Sequence, residues 1–386
     1  MPSLQAGGAE KCLVNLLNEF DYNKYDVDLL LLNKTGIFLK LVPAEVTILT
    51  LQDDFAIFSK NPISSFFSFL SSGKFSLAYS RICFTFKNRF IKNKGIAEQY
   101  SWKDLKKAIP KSQKEYDVAI GFLEKTAIYL TVDCISTKKK IGFINNDYSM
   151  LNLDVAFDEP YFKQLDYLFT VSESCEAVLK ATFPNLKSKI KMMYNILSEK
   201  AIHNLAVEKT EGLDTEINLV TLGRLSQQKG FDLAIQAAAI LVKKGYNMKW
   251  YILGEGEERS VLEQLIKENN LSENFILMGI KENPYPYINN ATIYVQPSRF
   301  EGKSLAIDEA KILHKPILVT NFTSAKDQIE SGVNGLIVPL SEEAIADGII
   351  ELVKNQELRN TFISNLKKQN YGTESEIKKL YQIIDN

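Results

Sequence analysis

Histidine is almost absent from this 386-residue sequence: His203 and His314 are the only two. That scarcity argues against a His-based metal centre and against Ser-His or Cys-His catalytic triads. Cysteine is also sparse. Cys12, Cys83, Cys134 and Cys175 stand apart with no CxxC pair, which argues against a disulfide framework or zinc site and fits a reducing compartment. No run of about 18 apolar residues is present to span a membrane as a helix, and no secretory signal pattern opens the sequence. Excess charge is lacking too. Forty-six Lys and Arg stand against 47 Asp and Glu, for a net charge of −1, so no nucleic-acid partner is expected. No Asp-x-Asp pair stands at a plausible phosphate site, so neither a metal nor a cofactor is expected.

What is present is an ordinary soluble composition, 45% apolar and 24% charged, in a chain long enough for two domains. Short apolar runs alternate with helical patterns, which predicts parallel α/β sheets. Strands are expected near 25–32, 46–51, 116–121, 140–144, 167–171 and 189–195. A second set is expected near 217–223, 249–254, 274–278, 291–296, 316–320 and 335–339. Residues 198–216 are polar without an apolar period and read as an interdomain linker. The expected class is therefore α/β, with two doubly wound, Rossmann-like domains and ligands at the carboxyl ends of the strands. Residues 1–197 would form the first domain, 217–370 the second, and 371–386 a final helical segment.

The chemistry-bearing motifs lie at strand ends. After the strand near 291–296 comes Arg299-Phe300-Glu301-Gly302-Lys303-Ser304-Leu305-Ala306-Ile307-Asp308-Glu309. This puts Glu301 in a loop and Glu309 on the helix it feeds. The amides of Lys303, Ser304 and Leu305 are expected to be unpaired helix N-terminal donors, a seat for a diphosphate. After the strand near 217–223 comes Gly223-Arg224-Leu225-Ser226-Gln227-Gln228-Lys229-Gly230-Phe231-Asp232, a basic loop entering a helix. Leu253-Gly254-Glu255-Gly256 ends another strand. Gly7-Gly8-Ala9-Glu10 forms a glycine-containing turn before an apolar helix starting at Cys12. Pro284-Tyr285-Pro286-Tyr287 reads as a helix start.

In this order the motifs resemble the retaining glycosyltransferases of GT-B fold, family 4 (glycosyl transferases group 1), of the polysaccharide-biosynthesis type. The resemblance implies roles. Arg224 and Lys229 would neutralise the leaving diphosphate, Glu301 would contact the donor sugar, and Glu309 the ribose. Gly7, Gly8, Gly223, Gly254, Gly302, Lys303, Ser304 and Leu305 would line the nucleotide-sugar, with Ile280 and Lys281 beside the base. Asn145 stands where many relatives carry His. It can hydrogen-bond but not titrate, which fits internal-return chemistry in which the leaving phosphate takes the acceptor proton. In such relatives a hydrophobic strand precedes the Gly7–Glu10 loop in mid-sheet, so a strand before Met1 is expected. The final helix would cross back to the first domain.

The resemblance implies transfer of a hexosyl or acetamidohexosyl unit from a UDP-sugar donor to a glycan or polyprenyl-linked acceptor, in the cytoplasm or at the inner membrane face. Two rivals stay open. A sugar-nucleotide epimerase of the same architecture would need acid–base residues that a His-poor chain lacks. A non-catalytic partner subunit would not need Arg224, Lys229, Glu301 and Glu309 intact.

Residues 55–95 hold no Asp or Glu, while Lys60, Lys74, Arg81, Lys87, Arg89, Lys92 and Lys94 alternate with Phe66, Phe67, Phe69, Phe75, Phe84, Phe86 and Phe90. This pattern suits peripheral contact with an anionic membrane or a lipid-pyrophosphate acceptor. It equally suits a helix pair whose Phe side chains pack inward and whose Lys side chains face water. Single-stranded nucleic acid is a third reading.

Overall fold

The computed structural model describes residues 1–386 apart from 6, 210–212, 214 and 386. Among the described residues the ladders between strands are all parallel, with one isolated antiparallel bridge between Gly254 and Gly279. Among the described residues there are twelve strands: β1 (Asp28–Leu31), β2 (Thr47–Thr50), β3 (Glu115–Gly121), β4 (Ser136–Ile144), β5 (Tyr167–Thr170), β6 (Ile190–Met192), β7 (Ile217–Leu222), β8 (Met248–Leu253), β9 (Phe275–Gly279), β10 (Ile293–Gln296), β11 (Ile317–Thr320) and β12 (Leu336–Val338). Each overlaps an expected apolar run, although β4 begins four residues before its run, at Ser136. The chain is α/β and forms two compact units, one made of Met1–Gln5, Leu16–Met193 and Lys378–Asn386, the other of Ala6–Asn15 and Tyr194–Ile377.

In the first unit, β3, β4, β5 and β6 form one sheet in that order, and β1 and β2 form a separate pair. Residues 1–4 run along β1 and its continuation. The Met1 amino group donates to Leu30 O (2.9 Å), Leu32 N–H to Met1 O (3.1 Å) and Leu4 N–H to Thr35 O (2.9 Å). Side chains tie β1 to β3, where Lys114 and Tyr116 both donate to Asp28, at 2.6 and 2.8 Å. The helix Ile377–Ile384 closes this unit, with Tyr381 stacked on Tyr25 at 5.0 Å and Asp385 paired with Lys24 at 2.6 Å.

The second unit is one six-stranded sheet, ordered β12-β11-β10-β7-β8-β9. Its strands read as near-continuous apolar runs because both faces are covered, as parallel sheets require. The helix Phe231–Lys243 shows the complementary pattern. It buries Phe231, Ala234, Ile235, Ala237, Ala238 and Leu241 along one face of a 3.6-residue repeat.

One expectation is corrected. The stretch 198–216 is not all irregular: it opens with the helix Glu199–Ala206, capped by Ser198 and burying Ile202 and Ala206. Residues 210–212 and 214 of the expected linker, and Ala6, lie outside the described residues; the expected Gly7–Glu10 turn is corrected too, because the helix begins at Gly8 and runs to Asn18 instead of starting at Cys12.

Candidate active site

In the second unit the chain runs outward from β7 through β8 to β9, then returns to the other side of β7 for β10, β11 and β12. The order reverses between β7 and β10, which are paired through Ile293–Leu219 and Tyr294–Val220. Ligands of doubly wound sheets bind at such a reversal, beyond the carboxyl ends of the strands. The two loops that leave this point are 223–230 and 297–304, the loops carrying the basic motif and Glu301.

The first loop holds its two cations differently. The Arg224 side chain is 51% exposed, and the carboxylate it approaches is Glu10, at 3.9 Å. Gly7 lies against it: a Cβ on Gly7 would come 2.7 Å from Arg224 Nη2 and would collide with the Glu10 carboxylate. A side chain at position 7 would have to displace the ends of both charged groups. Burial pushes the Glu10 carboxyl above its usual range, partly offset by its backbone bond and by Arg224. Lys229 is mostly buried, and its Nζ sits 2.6 Å from Glu301 Oε1. The turn that delivers it needs Gly230, which has φ +67 and approaches Pro297 O so closely that a Cβ would clash.

Glu301 is held from several sides. Its Oε1 accepts from Ser298 Oγ (2.6 Å) and Gln296 Nε2 (3.3 Å), and Gln228 Nε2 reaches Oε2 (3.4 Å) and Phe300 O (2.9 Å). The loops are locked together by Arg299, whose guanidinium forks onto both oxygens of Asp232 at 2.8 and 2.6 Å, the strong bidentate form of this pair.

Glu309 lies on the helix Leu305–Ile312 and is fully buried. Its Oε1 pairs with Lys11 Nζ and accepts from Tyr285 O–H at 3.2 Å. Its Oε2 is buried with no hydrogen-bond partner. Lys11 also stands over the Tyr285 ring, 4.6 Å from its centroid. Burial works against the Lys11 charge, but Glu309 and Tyr285 outweigh it and hold the ammonium above the ordinary lysine range. Burial beside Glu309 pushes the Tyr285 phenol up to about 12 and raises the Cys12 thiol as well.

The helix start differs from expectation. Ser304 N–H is not free, because it donates to Gln328 Oε1 at 2.9 Å while Gln328 Nε2 returns a bond to Ser304 O at 2.8 Å. The N–H groups of Lys303 and Leu305 have no such partner among the described residues. The Lys303 side chain is 7% exposed, its Nζ 3.1 Å from Asp308 and 4.4 Å above the Tyr194 ring. Gly254 N–H donates to Gly279 O at 2.9 Å, joining the ends of β8 and β9. Ile280 and Lys281 follow β9 directly. Ile280 is exposed and Lys281 stands 5.6 Å from the Tyr287 ring centroid.

Asn145 belongs to the first unit, at the end of β4. Its N–H approaches Glu124 Oε2 (3.3 Å), its Nδ2 donates to Phe122 O (3.1 Å), and its Oδ1 is buried without a partner. Glu124 is buried, and desolvation raises its carboxyl above the usual range against the opposing pull of Lys125. The two histidines do meet in the second unit: His203, His314 and Glu199 bring one potential ligand atom each within 4.8 Å of one another.

Residues 206–369 match the family model of the glycosyl transferases group 1. This segment includes Arg224, Lys229, Glu301 and Glu309. A relative from Campylobacter jejuni, N-acetylgalactosamine-N,N'-diacetylbacillosaminyl-diphospho-undecaprenol 4-alpha-N-acetylgalactosaminyltransferase, is 26% identical over 95% of this chain and 92% of its own. Over residues 206–369 the chain is thus similar to the group 1 glycosyltransferases. The capsular polysaccharide biosynthesis glycosyltransferase CapM of Staphylococcus aureus is 33% identical over 38% of this chain and 40% of its own. Three of the curated relatives that the chain matches are spanned for only 64, 40 and 40% of their length. The crystal structure of Anabaena HepE with UDP-glucose superposes with a TM-score of 0.72 at 15% identity, covering 100% of this chain and 98% of that one. This is the GT-B fold.

Sequence reasoning missed Lys11, Tyr285, Gln328, Arg299 and Glu124. Lys11 and Tyr285 had a weak signal, since each adjoins a motif or an expected helix start. Gln328 and Glu124 had none, because their contacts arise only when the strand-end loops converge.

Proposed function

We propose that this chain is a retaining glycosyltransferase that moves a hexosyl or acetamidohexosyl unit from a UDP-sugar to a glycan or lipid-linked glycan in surface-polysaccharide synthesis. The observation that carries the reading is the buried, unpartnered Glu309 Oε2 on the helix that follows β10, while the loop after β7, the strand paired with β10, carries an exposed arginine. A buried carboxylate oxygen without a donor is costly, and a ribose hydroxyl would satisfy it. Arg224 and the free amides of Lys303 and Leu305 would meet the diphosphate. Breaking the sugar–phosphate bond builds charge on the β-phosphate oxygen, and fixed cations nearby lower that barrier. Glu301, immobilised by Lys229, Ser298 and Gln296, would orient donor-sugar hydroxyls. In this scheme the departing phosphate takes the acceptor proton, so no titrating side chain is needed at Asn145.

The donor reading draws on solved relatives titled as complexes with UDP or UDP-glucose. The acceptor reading draws on the diphospho-undecaprenol named for the Campylobacter relative. Thermal-shift screening against UDP- and GDP-sugars, followed by measurement of UDP release with an undecaprenyl-diphosphate-linked glycan, tests it. Stabilisation by UDP-sugars and acceptor-dependent UDP release are the expected results. Binding without release under any acceptor would favour a non-catalytic partner subunit.

A further inference from the structure

The acid-free segment 55–95 divides its aromatics between two faces. Phe58, Phe69, Leu77, Ala78 and Ala108 form a small core, with Phe66 and Phe84 packed against it. Arg81 is drawn inward as well, 5.3 Å from the Phe58 ring centroid and 5.5 Å from that of Phe84. The opposite face of the helix Phe75–Phe90 stays uncovered. Phe75, Tyr79, Ile82, Phe86 and Phe90 are 68, 67, 50, 60 and 61% exposed. At 100° per residue these five side chains fall within roughly an 80° arc, one continuous stripe along the helix. Ile63 and Phe67, one helical turn apart on the helix Pro62–Ser71, are 70 and 61% exposed. Isolated exposed hydrophobes are ordinary, but a contiguous stripe marks an interaction surface.

The unpaired charge around the stripe is of one sign. Lys87 is engaged by Asp104 at 2.7 Å, and Lys74 by Asp54 at 2.5 Å. Lys60, Arg89, Lys92 and Lys94 have no carboxylate partner among the described residues. Arg89, Lys92 and Lys94 cluster where the helix ends, beside Phe86 and Phe90. No helix among the described residues is long and apolar enough to cross a membrane.

We propose that this stripe docks the protein on a bilayer surface that carries anionic lipid, with Phe75, Tyr79, Ile82, Phe86 and Phe90 in the headgroup–acyl boundary and Arg89, Lys92 and Lys94 against the phosphates. Amphipathic helices bind interfaces in this way, apolar side chains inserted and basic side chains reaching the headgroups. A second copy of the chain fits less well. A two-fold contact places the same patch against itself, setting unpaired cations against their own equivalents. Nucleic acid fits less well too, because the Phe86 and Phe90 rings already lie 4.4 Å apart and occupy each other, leaving no open face between them for a base.

The proposal does not depend on the transferase reading, so its test measures binding and not turnover. Full-length protein is co-sedimented with vesicles of mixed phosphatidylcholine and phosphatidylglycerol, and with pure phosphatidylcholine vesicles. Binding is expected only with phosphatidylglycerol and should weaken as salt rises. Replacing Arg89, Lys92 and Lys94 together with Ser should lower partitioning on the order of a hundredfold. A Phe86→Ser, Phe90→Ser variant should also lose binding while keeping the wild-type melting temperature, because both rings are solvent-exposed. Equal recovery with both vesicle types, or none with either, overturns the proposal. So does a Phe86→Ser, Phe90→Ser variant that sediments like wild type, a dimer that this variant dissociates, or capture of single-stranded RNA in place of vesicles.

Discussion

Lys11 and Glu309 stand 298 residues apart in sequence and meet as an ion pair whose carboxylate is fully buried and whose lysine is mostly buried. Lys11 engages one carboxylate oxygen and leaves the other, Oε2, without a partner. The pair therefore fixes the rotamer of Glu309 while keeping one acceptor open. It also joins the helix Gly8–Asn18, which follows Gly7, to the helix that starts at Leu305.

Lys11→Ala should be strongly destabilising. Removing one member of a buried pair strands the other charge, a cost of about 3–5 kcal/mol. Chemical denaturation measures it. The Lys11→Met, Glu309→Gln double variant should recover much of the loss, since neither charge is then buried alone. A Lys11→Ala protein as stable as wild type would show that water reaches Glu309.

Glu309→Gln should weaken UDP binding. A hydrogen bond to a charged acceptor contributes about 1.5–3 kcal/mol, so the Kd should rise roughly tenfold to a hundredfold. Calorimetry with UDP is the measurement, read beside a melting curve because Lys11 loses its partner. Unchanged affinity would move the ribose site away from Glu309.

Lys229 and Glu301 act as a unit, at 2.6 Å. Lys229→Ala should cost about 2–4 kcal/mol in transition-state stabilisation, and Glu301→Gln should depress transfer while sparing UDP affinity. The double variant should fall short of the sum by about 0.5–3 kcal/mol, as coupled neighbours do. UDP-release values of kcat/KM supply the cycle. Strict additivity would mean that the contact seen here has no part in turnover.

Much of this fold is legible before any coordinates. β7, Ile-Asn-Leu-Val-Thr-Leu, is buried on both faces, so its apolar run alone marks it as an interior parallel strand. The loops after β7 and β10 were legible through residue spacing. Long-range side-chain partners were not. Nothing near Ser304 announces that Gln328 occupies its amide, and nothing near Glu309 names Lys11. The helix Glu199–Ala206 escaped notice because only Ile202 and Ala206 anchor it, too few positions to set a period. The 55–95 segment left inward and outward Phe readings both standing. Only packing decided that Phe66, Phe69 and Phe84 turn in while Phe67, Phe75, Phe86 and Phe90 turn out.

Glu124 gives a pH-dependent prediction. Burial raises its carboxyl pKa in the folded state, despite the Lys125 charge and the backbone bonds that favour the anion. The folded protein thus holds this proton more tightly than the unfolded chain, whose Glu titrates near the ordinary value of 4.5. Where the folded state carries the extra proton, stability falls as pH rises. The contribution is fully present below about 4.5 and is lost as pH climbs through the raised folded value. At neutral pH the protein bears the cost of a buried carboxylate. Glu124→Gln removes that cost and keeps an oxygen that can accept from Asn145 N–H. The variant should therefore melt higher than wild type at neutral pH, with the difference shrinking as pH falls toward 4.5. Melting curves of both proteins across that range decide the matter. A difference that is constant with pH, or a variant less stable at neutral pH, would mean that Glu124 is stabilised as an anion by Lys125 and Asn145.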